Sequence, residues 1–241
     1  MHLMSSLKYR DRQPEWMDDP FLDESMHRSA LAGLRRLNRV SRSASIVWRP
    51  IRQLARDHPG ERLTVLDMAC GGGDVALTIV GRARCESVQL QIDGCDISPV
   101  AIEVAREAAT RAHLADTVRF FQHDVLNDVL PQTYDVVMCT LFLHHLSESD
   151  SRRLLLRMQQ TARRLVLIND LRRTRLGFVL AWLGCRLLTR SPVVHLDGPL
   201  SVRAAYRTDE VLRLAESCGM RGATISTHWP QRFLLQWRRS A

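Results

Sequence analysis

The residues of this 241-residue chain best suited to chemistry are a set of aspartates grouped around a glycine run, and a small set of histidines. Asp67 stands just ahead of Gly71-Gly72-Gly73 and Asp74 just behind it, while Asp96 and Asp124 close two further apolar runs, GCDIS and FFQHDV. A glycine-rich turn between strand and helix lets the backbone come close to a ligand, with helix N–H groups facing it. Read from Gly71, the segment through Ala76 fits the dinucleotide fingerprint G-x-G-x-x-G/A, which would seat a pyrophosphate. Read from Asp67, it fits a different ligand. Carboxylates on both sides of the loop repel a phosphate in a half-buried site and favour a cation, such as an ammonium near a sulfonium. Asp96 suits either ligand, because one carboxylate can bind both hydroxyls of an adenosine ribose. Asp124 offers an acceptor to an adenine amino group.

A general base for a weakly acidic hydroxyl needs a pKa near neutrality, and histidine is the default. His144 and His145 follow the run YDVVMCT, and His195 lies in a later segment. In LFLHHL one of the two adjacent side chains must point inward, so packing competes with catalysis for these two. Asn169 and Asp170, after LVLIN, could orient an acceptor or cap the following helix. Paired carboxylates at metal-binding positions are not evident, and no metal is expected.

The elements that must hold these residues alternate regularly. Strands are predicted over 63–68, 88–95, 118–123, 134–140 and 165–169, and helices over 74–82, 99–113 and about 149–162. Asp74 reads as a helix N-cap and Pro99 as a first-turn proline. Such alternation implies a parallel sheet covered on both faces. Ahead of it, residues 1–20 read as polar and irregular. Two amphipathic helices follow, with Leu31, Leu34 and Leu37 on one stripe and Ile46, Val47, Ile51 and Leu54 on another, ended by His58-Pro59-Gly60. After a helix-rich stretch to about Pro192, residues 193–206 read as a loop, and a helix from Thr208 ends at Gly219. The last candidates, 223–228 and 232–237, are too close in sequence for a parallel crossover and must pair antiparallel.

Composition narrows the classes further. The net charge of +8 is concentrated: residues 152–190 hold ten arginines against the single acid Asp170, giving 10 − 1 = +9 there. The balance fits a solvated face more simply than a nucleic-acid footprint. None of the six cysteines forms a C-x-x-C pair, which points to reduced buried thiols and a cytoplasmic chain. The most apolar run, 176–188, is interrupted by Arg186 and shorter than the ~20 residues a membrane span needs.

Taken together, DMACGGG resembles the D-x-G/A-x-G-x-G loop of class I S-adenosylmethionine-dependent methyltransferases. Asp96 matches the ribose acid of that family, Asp124 its adenine-side acid, and YDVVMCTLFLHHLSESD its fourth-strand motif. The terminal antiparallel hairpin is also in keeping with the family, and the resemblance covers roughly residues 62–240. PEWMDDP, ALAGLRRLN and NDLRR further resemble a bacterial small-molecule subgroup with polyketide- or quinone-like substrates.

The resemblance implies an α/β, Rossmann-like doubly wound sheet, mostly parallel with a C-terminal antiparallel hairpin, plus an N-terminal helical cap. In this division residues 1–60 are the cap and 61–241 the cofactor-binding domain, with an insertion at about 171–207 forming part of the acceptor site. It further implies S-adenosylmethionine held by Asp67, Ala69, Gly71, Gly73, Asp96, Ile97, Asp124, Val125 and Cys139, with His145, His144 and His195 as candidate bases. Ala69 departs from the more usual glycine and is compatible if its φ is negative.

The expected reaction is methyl transfer to a hydroxyl of a small hydrophobic or aromatic acceptor. Met17, Trp16, Phe21, Trp48, Phe178, Trp182 and Trp229 are candidates for an apolar lining. The alternatives are C- or N-methylation of a quinone precursor, RNA methylation, a non-catalytic cofactor-binding role, or a dehydrogenase. An N-P-P-Y-like motif is missing where CTLFLHHL stands, which counts against adenine in nucleic acid. The expected partners are a small-molecule acceptor, with peripheral lipid contact, and no nucleic acid.

Overall fold

The computed structural model describes residues 7–130 and 132–239. Seven strands form one sheet: β1 (Leu63–Met68), β2 (Leu90–Asp96), β3 (Val118–Gln122), β4 (Tyr134–Thr140), β5 (Ala162–Leu171), β6 (Thr224–His228) and β7 (Arg232–Arg238). Their order is β3-β2-β1-β4-β5-β7-β6. All pairs from β3 to β5 are parallel, and β7 is antiparallel to both β5 and β6. The sheet is thus mostly parallel with a C-terminal antiparallel hairpin, as predicted. The central strands are largely apolar and buried because helices cover both their faces. β5 is longer than the LVLIN run suggests, since pairing with β7 as far as Leu171↔Arg232 draws in its carboxyl end and the Tyr134↔Ala162 pair with β4 its amino end.

Two apolar layers flank the sheet. On one face α2 (Ser43–Asp57), α3 (Asp74–Cys85) and α4 (Pro99–Arg111) bury Ile51, Ile79 and Ile102 against Val65, Ile92 and Val136. On the other, α5 (Glu148–Thr161) and α8 (Thr208–Ser217) bury Leu154, Leu155 and Leu214 against Leu66, Val137 and Ile168. A third, smaller cluster joins α1 (Glu24–Val40), α6 (Arg175–Leu188) and α7 (Pro192–Ala204) through Ala30, Cys185, Val193 and Val194. This third cluster stands over the carboxyl edge of the sheet and walls the site.

Local signals fix several helix starts. Asp23 accepts from the backbone N–H of Ser25 and Met26, Ser98 from Ala101, and Ser147 from Asp150, so orphan N–H groups at α1, α4 and α5 are satisfied. Two expectations need correction. Asp74 is not the cap of α3: Gly73, with φ 73°, holds that position and Asp74 is the first helical residue. The predicted loop at 193–206 is largely the helix α7. Gly198-Pro199 is a strong breaker signal, yet packing overrides it. Val193 and Val194 are sealed against α1 and α6, and a Cβ at Gly198 would lie 2.3 Å from the Cys185 sulfur. All six cysteines are free thiols, and all but Cys85 are buried.

Candidate active site

A cavity of about 1030 Å³ opens where the carboxyl ends of β1, β2, β4 and β5 meet the third helical cluster. That is the position at which open parallel sheets bind ligands. Its volume lies at the upper end of the range for small-molecule sites, roughly 300–1,000 Å³, enough for two ligands side by side.

The floor is the loop after β1. Gly71 and Gly73 are left-handed (φ 53° and 73°), and a Cβ at Gly73 would stand 2.6 Å from the Phe120 ring. Ala69 is left-handed too, at φ 55°, so the condition under which alanine would fit without strain is not met. Leu141, just after β4, has φ 58°. Two non-glycine residues in this region, both on the cavity wall, mark backbone held in place by its surroundings. The Gly71 N–H donates to Asp96 Oδ2 at 2.8 Å, and the Ser98 N–H to Asp96 Oδ1 at 2.9 Å. Asp96 therefore fixes the loop while each oxygen keeps a second lone pair for a ligand.

Asp67 is 1% exposed, and its Oδ1 has no hydrogen-bond partner. Burial first, then the charges of Asp74 and Asp96, push its carboxyl well above the usual range. A lone buried carboxylate is unfavourable without a cation beside it. An ammonium group at the loop would supply that cation, so the donor set fits the aminoacyl end of S-adenosylmethionine. Ile97 and Val125 line the same half of the cavity. Asp124 lines it as well, but its oxygens accept from the N–H groups of Leu126 and Asn127 and from Asn127 Nδ2. Cys139 is fully buried in β4 beneath the cavity and is not part of its wall.

The histidines separate clearly. His144, 3% exposed, lines the cavity with Nδ1 2.6 Å from Asp170 Oδ1, and its backbone N–H reaches Asp170 Oδ2 at 3.2 Å. Burial acts to raise the Asp170 pKa, but the His144 charge and hydrogen bond outweigh it and hold the carboxyl below its ordinary value. With Nδ1 engaged, Nε2 is the nitrogen left for a reacting group. His145 also lines the cavity, with Nδ1 2.9 Å from Asp18 Oδ2. Burial opposes its protonation, yet the Asp18 hydrogen bond and the charges of Glu15, Asp18 and Asp170 raise it to about 9. His195 stands apart: Nε2 lies 3.0 Å from the Thr189 carbonyl oxygen, and the residue is not on the cavity wall.

Composition and periodicity gave no sign of the strap formed by residues 10–19. Arg10 donates to the carbonyls of His144, Leu146 and Ala204, and Asp197 accepts the N–H groups of Trp16 and Met17, both at 3.0 Å. Ser201 Oγ donates to Glu15, which is itself buried. The remaining wall is apolar, from Leu31, Leu34 and Leu37 of α1 and Leu180, Leu183 and Leu187 of α6. Of the expected apolar lining, Met17 and Trp229 take part. Trp48 lies in the core with Nε1 2.9 Å from Glu86, and Trp16, Phe21 and Trp182 are exposed.

The sheet order, the glycine loop and the acids at the strand ends together define a Rossmann-like methyltransferase fold. Comparison with known proteins agrees. Residues 65–164 match the family described as a methyltransferase domain. A bifunctional methyltransferase of Rickettsia felis is 26% identical over 117 residues, which is 48% of this chain and 21% of that protein. The chain thus spans about a fifth of that curated relative. Among solved structures, the plantazolicin methyltransferase with S-adenosylhomocysteine (SAH) superposes with a TM-score of 0.69 at 16% identity, covering 94% of this chain and 93% of that one. An O-methyltransferase family protein from Burkholderia thailandensis gives 0.67 at 18% identity, covering 100% and 68%. The magnesium protoporphyrin IX methyltransferase of Synechocystis, with SAH, gives 0.58 at 18%, covering 99% and 95%. Residues 65–164 thus resemble a methyltransferase domain, and the chain shares the fold of these methyltransferase structures.

Proposed function

We propose that the chain transfers a methyl group from S-adenosylmethionine to a hydroxyl of a small hydrophobic or aromatic acceptor, of polyketide- or quinone-like character. The observation that carries this reading is the His144–Asp170 pair, whose histidine lines the same cavity as the carboxylate-ringed loop. When bound, the cofactor supplies the electrophilic methyl group. The protein then has to align the acceptor oxygen and take its proton.

In this reading Asp67 meets the ammonium of the cofactor, Asp96 its ribose, and Ile97 and Val125 the sides of its adenine. Asp170 fixes His144 through Nδ1, so that Nε2 accepts the hydroxyl proton. His145, held as a cation by Asp18 and Glu15, contributes positive charge near the forming alkoxide or phenoxide. The cap at 1–60 and the insertion at about 171–207 build the acceptor chamber. Contacts of α1 with both α6 and α7, and the leucines they turn to the cavity, support that division.

Contact with a lipid surface belongs to the same reading. Leu176, Val179 and Trp182 are exposed on α6 beside Arg175 and Arg186, an arrangement suited to an anionic interface. No helix among the described residues is long and apolar enough to cross a membrane. Cosedimentation with vesicles containing phosphatidylglycerol should exceed that with phosphatidylcholine alone.

The decisive experiment is a methyl-donor turnover screen over phenols and aliphatic alcohols, repeated with His144→Ala. Turnover should require a hydroxyl and fall about 10²–10⁴-fold in the variant, while SAH still raises the melting temperature. A fully active His144→Ala would overturn the base assignment.

A further inference from the structure

Arg232 is a buried charged side chain on the cavity wall to which neither the cofactor loop nor the histidine pair gives a role. It opens β7, opposite Leu171 and next to the turn that carries Trp229. It is 5% exposed and lines the cavity. Its Nη2 donates to Ser41 Oγ at 2.9 Å, but Nε and Nη1 have no hydrogen-bond partner, leaving the Nε–H and both hydrogens on Nη1 unmatched.

Among the described residues Arg232 takes part in no ion pair. The carboxylates whose charge reaches it are Asp170 and Asp74. Asp170 is committed to His144 and to the Leu171 N–H at 2.6 Å. Asp74 sits beside Asn38 Nδ2 at 3.5 Å, and burial drives its carboxyl towards the neutral form. Burial likewise pushes the guanidinium down, to about 10, against the pull of those two acids. A buried, unpaired guanidinium is strongly unfavourable unless an anion joins it. Arginine matches a carboxylate through parallel N–H donors, which a lysine cannot do.

We propose that Arg232, steadied by Ser41, is a carboxylate-binding subsite of the cavity. The inference rests on the methyltransferase reading for the identity of the cavity's occupants. Two occupants could present the carboxylate: the aminoacyl end of the cofactor, or an acidic acceptor whose apolar body lies along α1 and α6. The two are separable. SAH carries the cofactor's carboxylate, and 5′-methylthioadenosine has the same nucleoside thioether without it. Laurate and dodecanol stand in the same relation for an apolar acceptor.

Thermal-shift titrations of the full chain with these probes, the last two in saturating SAH, are compared between wild type and Arg232→Gln. If the cofactor supplies the carboxylate, the variant weakens SAH about tenfold or more and leaves methylthioadenosine unchanged. If the acceptor supplies it, laurate weakens to that extent while SAH and dodecanol hold. Should neither ratio change, or all four probes weaken together, the proposal fails. A wild type that ignores both nucleosides would instead overturn the methyltransferase reading itself. Where Arg232→Gln folds poorly, Arg232→Lys is read by the same two ratios. It keeps the charge and loses the planar fork, so a fall of about threefold or more in either ratio is expected, and unchanged ratios overturn the proposal.

Discussion

The two halves of the cavity are built on opposite electrostatic terms. The half over β1 and β2 is a ring of carboxylates, Asp67, Asp74 and Asp96, each raised above the ordinary range chiefly by burial. The half over β5 and β7 holds His144, His145 and Arg232, and the buried Asp170 behind His144 is held below the ordinary range by it. One side gathers carboxyls whose ionisation burial opposes and a cationic ligand would favour. The other side pairs His144 with Asp170 and His145 with Asp18, and leaves Arg232 unpaired. In the reading proposed above, one set of groups would hold the sulfonium cofactor and the other would take the acceptor's proton.

Substitutions on each side should therefore fail differently. The largest effect is expected on the paired side: His144→Ala loses about 10²–10⁴-fold in turnover with SAH affinity intact, measured by initial rates and thermal shift. Loss of SAH binding in that variant would erase the contrast. On the carboxylate side, Asp67→Asn should weaken SAH by about 10–100-fold, the worth of a hydrogen bond to a charged group. The same change should raise the melting temperature of the ligand-free protein, because a desolvated charge is removed.

A smaller effect should appear in the pH dependence of stability. His145 has a folded-state pKa raised from 6.5 to about 9. Its contribution is fully present below about pH 6.5 and is lost as pH rises through about 9. Asp18→Asn should flatten the stability curve across that window and cost about 1 kcal/mol at pH 7, or 2–4 °C, discounted because Asp18 is more than half exposed. A curve unchanged in shape would mean that His145 is not held by this pair. The smallest change is Ala69→Gly, which relieves a left-handed alanine and should stabilise by about 1 kcal/mol in denaturant unfolding.

Much of this was legible in the chain. The alternation of apolar runs and helical stripes placed the parallel strands and the terminal hairpin, because burial on both faces leaves a plain signature. Asp67, Asp96 and the glycines were visible for the same local reason: a strand end, a tight turn and a charge lie within a few residues. What stayed hidden depends on contacts between distant residues. The strap at 10–19 reads as polar and irregular, and its partners Asp197 and Ser201 lie more than 180 residues away. Helix α7 was masked by Gly198-Pro199. Arg232 looks like an ordinary polar start to an apolar strand, and only the sheet order shows that it opens into the cavity. That Ala69 fits only with a negative φ could be said from the chain, but its left-handed φ of 55° could not be read there.

The insertion of β7 between β5 and β6 has a consequence for how the protein comes into being. Strands β1 to β4 find their neighbours within some eighty residues of chain, so the cofactor side can assemble as soon as that stretch has left the ribosome. β5, which carries Asp170, gains its outer neighbour only when the final strand is made, and Arg232 arrives with it. An unfinished polypeptide would thus hold a cofactor cradle with no completed acceptor chamber beside it. Competence for transfer would be the last property to appear, conferred by the final strand to join the sheet.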